Sequence, residues 1–363
     1  MTYISRFNYK LIILIVLGQM SLGALFYKSF FTEALMLVLV ISIFLSVYIY
    51  PHIRPNYYFL GFLVCGIIYV LYSVFLTDAD SYWIARHGVV LLYALAAVPF
   101  LKYKIPKAKL AYVYIALICA LFFSYIGWLI PGHANFVAFQ VCIVLLCILY
   151  ERVKASTFYL TYVLVAFVLL LTNEQTLLIL VVFMPLVIIQ FVKMNFAFRL
   201  LSGVVFIPLL SIAVLLDGGA GDYNAIWRYL YWFDVLKYNF TENYLIFGNG
   251  FGGPFILKEY DNYEVLISQV SWSQNRTYQE LSVPPHNAVL TLLHFMGLPG
   301  VLFVLVPVLK CALRSISDRE VHGSDMALFC ISTIALNNQF IVVPYCAVLF
   351  WALWGGLSIW HKK

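Results

Sequence analysis

The residues that could do chemistry gather where one long connecting segment, 217–285, meets His286. The segment carries Arg228 and Arg276, and a guanidinium group can bind two phosphate oxygens through parallel hydrogen bonds. The imidazole of His286 changes its charge near neutral pH and can accept a proton. One histidine and two arginines at one surface could therefore bind a diphosphate and supply a base. The alternative for His286 is an ordinary hydrogen-bonding residue at an interface.

A glycine-rich stretch, 247–253, precedes this histidine within the same segment and reads FGNGFGG. It matches the letters of the GxGxxG dinucleotide motif, but that motif needs a preceding strand and a following helix. The pattern around it predicts neither element, so a nucleotide site is excluded. Two alternatives remain: a tight turn that uses the conformational freedom of glycine, or a backbone cradle in which Gly248 and Gly250 bind an anionic headgroup.

The composition decides where this chemistry must take place. Of the 363 residues, 64% are hydrophobic and 10% are charged, and the mean hydropathy is +0.94. A soluble domain with about 25% charged residues covers its surface with polar groups, which this chain cannot do. The composition excludes a cytosolic enzyme, a disordered chain and a nucleic-acid binder. The seven cysteines lie in apolar stretches without metal-ligand spacing, which excludes a disulfide scaffold and favours buried free thiols.

The elements that must position these residues are membrane helices. About 20 apolar residues cross the hydrocarbon core of a bilayer. The sequence predicts one all-α polytopic membrane domain over residues 1–363, with about twelve spans and an uncleaved first helix. The predicted spans are 11–27, 33–50, 57–76, 88–101, 110–130, 136–150, 156–172, 176–192, 200–216, 287–308, 325–341 and 343–360.

The basic residues predict the orientation of these spans. With the N-terminus in the cytoplasm, 16 of the 22 lysines and arginines fall in inner loops, as the positive-inside rule requires. Both termini are then cytoplasmic, and segment 217–285 is a large periplasmic loop between helices nine and ten. Its first part, about 222–238, has the pattern of a helix that lies at the membrane interface.

Three motifs in order resemble those of a known family. They are His286-Asn287 followed after nine residues by Gly297-x-x-Gly300, the pair Arg228-x-x-x-Trp232, and Phe247-Gly248-Asn249-Gly250-Phe251-Gly252. The sequence resembles the superfamily of bacterial O-antigen ligases and polymerases (WaaL, Wzy and related O-oligosaccharyltransferases). The motifs cover about 172–305, and the predicted topology extends the resemblance to the whole chain.

The resemblance implies a GT-C-like fold and a metal-independent, inverting glycosyl transfer without a cofactor. It implies catalytic roles for His286 and Arg228, with diphosphate binding by Arg228, Arg276, Gly248 and Gly250. The chain departs from the family in the turn 172–176, where Glu174 stands in place of a common arginine. A second diphosphate-binding arginine must then be Arg276 or Arg86, or be missing.

Further residues are secondary candidates for the same site. Glu174 is either a surface residue or a group that acts as the base or binds the acceptor, and Asn338 and Gln339 could contact sugars. Asn287, which follows His286 in its motif, is a further candidate. A rival site is Asp78-Ala79-Asp80, because other membrane glycosyltransferases bind a metal through acidic residues of an outer loop. The alternative for these two aspartates is a solvated loop.

The resemblance implies work at the periplasmic face of the bacterial inner membrane on an undecaprenyl-diphosphate-linked oligosaccharide. The expected activity is that of a Wzy-type polymerase, whose acceptor is another lipid-linked glycan. One alternative is a ligase that transfers the glycan to lipid A–core, or an oligosaccharyltransferase that transfers it to protein. An alternative from another class is a lipid-linked glycan flippase or transporter. Membrane lipids are expected partners, a chain-length regulator protein is a further candidate, and nucleic acid is excluded.

Overall fold

A computed structural model describes the helices and loops around the predicted site. The described residues are 56–102, 110–129, 147, 153–170, 223–260, 262, 266, 280–318, 322, 325–328, 331–332 and 344–360. They are mostly helical, as predicted. The helices are α1 Tyr57–Leu76, α2 Ser81–Ala94, α3 Val98–Lys102, α4 Leu110–Leu129, α5 Ala155–Leu170, α6 Tyr223–Thr241, α7 Tyr244–Phe247, α8 Ala288–Asp318 and α9 Pro344–Gly355, with 3-10 turns at Leu95–Ala97 and Ser358–Trp360.

Two helices in the described part of the chain are long and apolar enough to cross a membrane. They are α1 and the Ala288–Arg314 part of α8. With a rise of about 1.5 Å per residue, the 20 residues of α1 extend about 30 Å, the thickness of the hydrocarbon core. The rest of the twelve-span topology stays a prediction.

Several predicted spans coincide with observed helices. The span 57–76 is α1 itself, and α4, α5 and α9 agree with their predictions to within a few residues at most ends. The predicted span 88–101 begins too late, because α2 already starts at Ser81 after its cap, Asp80. The predicted span 287–308 ends too early, since α8 continues to Asp318. The spans 11–27, 33–50, 176–192 and 200–216 lie outside the described residues, as do most of 136–150 and 325–341.

α1 and α8 pack side by side in opposite directions. Near the beginning of α1, Gly61 leaves room for the ring of Phe303, and the ammonium group of Lys310 donates to the hydroxyl of Tyr58. α9 packs on the same pair, because the ring of Trp351 lies 4.8 Å from that of Phe62. These contacts fix which residues of α1 and α8 lie at the same level.

α8 is broken at Gly297, which has φ 59° and ψ −160°. An L-residue rarely adopts a positive φ, so glycine permits the break. The break divides α8 into an outer arm, residues 288–296, and an inner arm, residues 298–318. Pro299 then begins the inner arm in its first turn, where a missing N–H is tolerated.

Two short strands qualify the all-α prediction. β1, Ile256–Leu257, pairs antiparallel with β2, Glu280–Leu281, with Ile256 opposite Leu281. Both lie in the loop 217–285 and join the part of the loop after α7 to the residues that lead into α8. Two-residue strands carry too little period-two pattern to be predicted from sequence.

Candidate functional site

His286 is positioned by the beginning of α8. The next residue, Asn287, is the N-cap: its side-chain oxygen accepts from the backbone N–H groups of Val289 and Leu290, both at 3.0 Å. Such a cap satisfies amide groups that the helix itself leaves without partners. The side-chain oxygen of Asn287, a secondary candidate for the site, therefore has a structural use here. His286 itself is half-buried one residue outside the helix.

The imidazole of His286 contacts α6, the helix that carries Arg228. The ring of Trp227 meets it edge to face, with centroids 5.5 Å apart and planes at 88°. Trp227 is buried, and its indole N–H donates to the carbonyl of Leu266 at 3.0 Å. This tryptophan therefore sets the distance between α6 and His286.

A second contact of α6 holds the residues just before His286. The hydroxyl of Tyr231, one turn after Trp227, donates to the carbonyl of Val283. Tyr231 is fully buried, and burial raises the pKa of its hydroxyl well above the ordinary value. The hydroxyl therefore stays protonated and remains a donor throughout the physiological pH range.

Arg228 follows Trp227 directly and is partly exposed. Successive residues of a helix are rotated by about 100°, so Arg228 lies at the edge of the face that Trp227 and Tyr231 bury. Trp232, the partner of Arg228 in its motif, is also partly exposed. The structure thus brings the elements that carry Arg228 and His286 into contact through Trp227.

α6 meets α8 again about two turns further on, through a buried polar network. Nδ1 of His294 lies 3.1 Å from the side-chain oxygen of Asn239, whose amide nitrogen donates to the carbonyl of Val235. Nε2 of His294 lies 3.4 Å from the side-chain nitrogen of Asn249. A neutral imidazole with its proton on Nδ1 satisfies all these contacts. This histidine, which the sequence placed inside a span, thus ties α6 and the glycine-rich stretch to α8.

The glycine-rich stretch packs directly on the break in α8. Gly248, Gly250 and Gly252 all have positive φ, at 72°, 87° and 89°. A Cβ on Gly248 would come within 2.6 Å of the backbone nitrogen of Gly297, so no larger residue fits between these two backbone segments. The glycine motif and the motif that runs from His286 to Gly300 therefore meet backbone to backbone.

The chemistry of the break explains this contact. Pro299 has no N–H, so the carbonyl of Phe295 lacks its normal helical partner. The backbone N–H of Gly250 donates to that carbonyl at 3.1 Å, and the N–H of Asn249 donates to the carbonyl of His294 at 2.6 Å. The glycine-rich stretch thus supplies the donors that the broken helix has lost, as buried carbonyls require.

The other amide groups of the stretch are also used within the protein. Gly248 donates to the carbonyl of Tyr244 at 2.7 Å, and Phe251 donates to the hydroxyl of Ser73 at 2.7 Å. Gly252 donates to Nδ1 of His87 at 3.2 Å. This geometry favours the tight-turn alternative over the anion cradle. Diphosphate binding by Gly248 and Gly250 stays a prediction, and it would need other donors.

His87 completes the attachment of the loop to α2. Since its Nδ1 accepts from Gly252, its proton is on Nε2, which lies 3.1 Å from the carbonyl of Ser282. The side chain is fully buried, and its ring lies 4.8 Å from that of Phe295. His87 therefore joins the glycine-rich stretch to the segment that leads into His286.

The remaining predicted residues are exposed, cap a helix, or lie outside the described residues. Arg86 is exposed on α2, and Asp78 is exposed in the turn before it. Asp80 caps α2 by accepting from the N–H of Tyr82 at 2.7 Å, which is a structural use of the acidic motif. Across the described residues, no group of three or more histidines, cysteines or acids could hold a metal ion. The predicted residues outside the described part are Glu174, Arg276, Asn338 and Gln339.

Sequence reasoning missed several residues that build this site. It assigned no role in the site to Trp227, His87, Asn239 or Ser73. The sequence Gly297-Leu298-Pro299 does signal a helix break with unsatisfied carbonyls. It does not say which distant amide groups would pair with them.

The comparisons with known proteins give no neighbour for this arrangement. The chain matches no protein-family model, no curated protein and no solved structure.

Proposed function

We propose that this protein is a lipid-linked glycan polymerase of the Wzy type, acting at the periplasmic face of the bacterial inner membrane. The observation that carries the proposal is the contact of His286 with Trp227, which neighbours Arg228. This contact brings together the segments that carry the proposed base, His286, and the proposed phosphate-binding group, Arg228, which lie 58 positions apart in the sequence. The proposal includes twelve spans with both termini cytoplasmic, a GT-C-like architecture and a chain-length regulator as partner.

The proposed reaction joins two lipid-linked glycans. A hydroxyl of the acceptor glycan attacks the anomeric carbon of the donor from the face opposite the diphosphate. The new carbon–oxygen bond forms as the bond to the diphosphate breaks, and undecaprenyl diphosphate leaves. His286 takes the hydroxyl proton, and Arg228 stabilises the negative charge that develops on the leaving diphosphate.

The division of labour follows from the site. A diphosphate is already a good leaving group, so the main demand is charge stabilisation, which a bidentate arginine meets. In the proposed reaction His286, which is partly exposed beside Trp227, is the side chain that meets the acceptor hydroxyl. The other contacts of the site hold α6 and α8 in place and leave the chemistry to these two side chains.

The test expresses the variants His286→Ala and Arg228→Ala separately in cells that lack the native copy. Each variant should lose glycan chains longer than one repeat unit, with a rate decrease of about 10²–10³-fold from loss of one charge-stabilising group. Lys258→Ala, which removes an exposed charge from the same loop, is the matched control and should keep the wild-type ladder. Long chains made by both stably inserted site variants would refute the proposal.

The same cells separate the polymerase from the ligase. Deletion of a polymerase leaves a single repeat unit on the lipid A–core, because ligation still proceeds. Deletion of a ligase removes all glycan from the core while lipid-linked chains accumulate. A flippase or transporter is favoured instead if alanine at both positions leaves glycan assembly intact.

A further inference from the structure

The end of α6 and the turn of α7 expose an apolar stripe that the proposed reaction does not use. Its members, all with more than a third of their surface exposed, are Phe233, Leu236, Phe240, Ile246 and Phe247. The first three recur at three- and four-residue spacing on α6, so they lie on one face of that helix. The opposite face is buried against the protein by Trp227, Tyr231, Val235 and Tyr238.

The stripe is too apolar for a surface that faces water. Phe240 is 73% exposed and Phe247 is 69% exposed, and three more large apolar side chains lie in the same short stretch. Contiguous patches of this kind on proteins mark contact with another apolar phase. Some apolar partner must therefore cover the stripe.

The packing of the glycine-rich stretch sets the depth of the stripe. Directly after Phe247, the chain lies against Gly297, and the carbonyl of Ile246 leaves no room for a side chain there. Gly297 lies within the candidate membrane span of α8. The next contact, from the N–H of Phe251 to the hydroxyl of Ser73, is with the other candidate span, α1, three residues before its end. Ile246 and Phe247 thus lie level with the last turn of α1 and with Gly297, the tenth residue of the candidate span of α8.

The apolar surfaces of these spans continue the stripe. Leu298 on α8 is exposed, and so are Tyr72, Val74 and Phe75 at the outer end of α1. A Cβ on Gly250 would come 3.2 Å from the ring of Tyr72, so the loop adjoins this surface directly. The end of the stripe, at Ile246 and Phe247, therefore adjoins exposed apolar residues of both spans.

The charged side chains of this part of the loop lie around Tyr260. The ammonium group of Lys237 is over the ring of Tyr260, 5.6 Å from its centroid. Glu242 and Glu259 also lie near Tyr260, and both raise the pKa of its hydroxyl, although burial is the larger cause. Lys237 follows Phe233 by four residues and precedes Phe240 by three, so it borders the stripe, and its ammonium group reaches over Tyr260.

We propose that residues 233–247 are inserted in the outer leaflet of the bilayer, with the stripe in contact with lipid acyl chains. α6 is then neither a solvated loop helix nor a helix that lies flat on the headgroups. It is held by the protein on one face and by lipid on the other, and Lys237, Glu242 and Glu259 mark its polar border. This inference rests on the membrane placement of α1 and α8 and does not depend on the glycosyl transfer.

The test is spin-label accessibility of the full chain in nanodiscs of phosphatidylethanolamine and phosphatidylglycerol, without native cysteines. Each variant carries one cysteine labelled with a nitroxide. The stripe variants are Phe240→Cys and Phe247→Cys, the lipid control is Phe75→Cys and the water control is Lys258→Cys. The stripe labels should collide with oxygen more than with the water-soluble nickel chelate, as the Phe75 label does. The Lys258 label should show the opposite ratio.

Two results would overturn the inference. Nickel accessibility at both stripe positions equal to that at Lys258 would place the stripe in water. Protection from both oxygen and nickel would show that protein, such as a second copy of this chain, covers it. Both results leave the glycosyl-transfer proposal standing, because that is measured separately through His286 and Arg228.

Discussion

At the scale of single residues, three histidines of the described chain show how environment separates roles. His286 is half-buried at the beginning of α8, with its ring against Trp227. His87 and His294 are fully buried, and both ring nitrogens of each have partners in the protein. Of these three, His286 alone is partly exposed, as a proton acceptor for a substrate must be.

Substitutions at His294 and at His286 should differ in their effect on thermal stability. His294→Leu leaves the polar side chains of Asn239 and Asn249 buried without their shared partner, at a cost of about 1–3 kcal/mol per unsatisfied group. We expect a clearly lower midpoint of thermal unfolding in detergent, measured by loss of the monodisperse peak in gel filtration. His286→Ala is the matched control and should unfold near the wild-type temperature. Equal stability of the two variants would contradict the structural role of His294.

At the scale of elements, the break in α8 and the glycine-rich stretch form one unit. Pro299 removes one helical donor and Gly297 turns the chain, so two carbonyls on the outer arm lose their partners. The amide groups of Asn249 and Gly250 replace those donors, which fixes the outer arm and therefore His286. The two motifs are consequently interdependent even though about 50 residues separate them.

Alanine at Gly297 tests this unit. The residue has a positive φ, and a Cβ would collide with the carbonyl of Ile246, so Gly297→Ala has to move backbone. We expect strongly reduced folded protein and loss of activity, whereas Gly88→Ala should be tolerated because its Cβ would meet only Val70, at 3.7 Å. Yields of detergent-extracted, monodisperse protein measure the difference. Normal folding of the Gly297 variant would show that the close approach is not required.

At the scale of the whole molecule, the described part of the loop 217–285 packs together with helices α1, α2 and α8. α6, α7 and the glycine-rich stretch contact α1, α2 and α8; the buried side chains of α1, α2, α6 and α8 belong to a single apolar cluster, and Tyr244 of α7 packs against it. The proposed orientation puts the loop outside and the end of α8 inside. The exposed Lys258 and Arg314 then lie on opposite sides of the membrane.

Labelling of intact cells with a membrane-impermeant maleimide checks this orientation. In a background without native cysteines, Lys258→Cys should react from outside, and Arg314→Cys should react only after the membrane is disrupted. The reason is that the candidate span of α8 separates the two positions. The reverse labelling pattern would invert the topology and remove the periplasmic site.

The sequence by itself determined the elements whose signal is local. An apolar run such as 57–76 predicts α1 to the residue, because length and hydropathy alone decide whether a helix can cross lipid. The start of α2 was missed because its first turn, next to Asp80, is less apolar than its interior. An unbroken span was predicted over 287–308, although Gly297 and Pro299 carry a local signal for the break, since both act on their own backbone.

The tertiary structure alone decided how the site is assembled. The contact of Trp227 with His286 and the pairing of Gly250 with Phe295 join residues about 45 to 60 positions apart, and no local pattern records such a choice. It also decided that the glycine amides are used internally, because the carbonyls left by the helix break are buried and demand partners. The sequence supplied the helix-breaking residues and the glycines, and their packing against each other paired them.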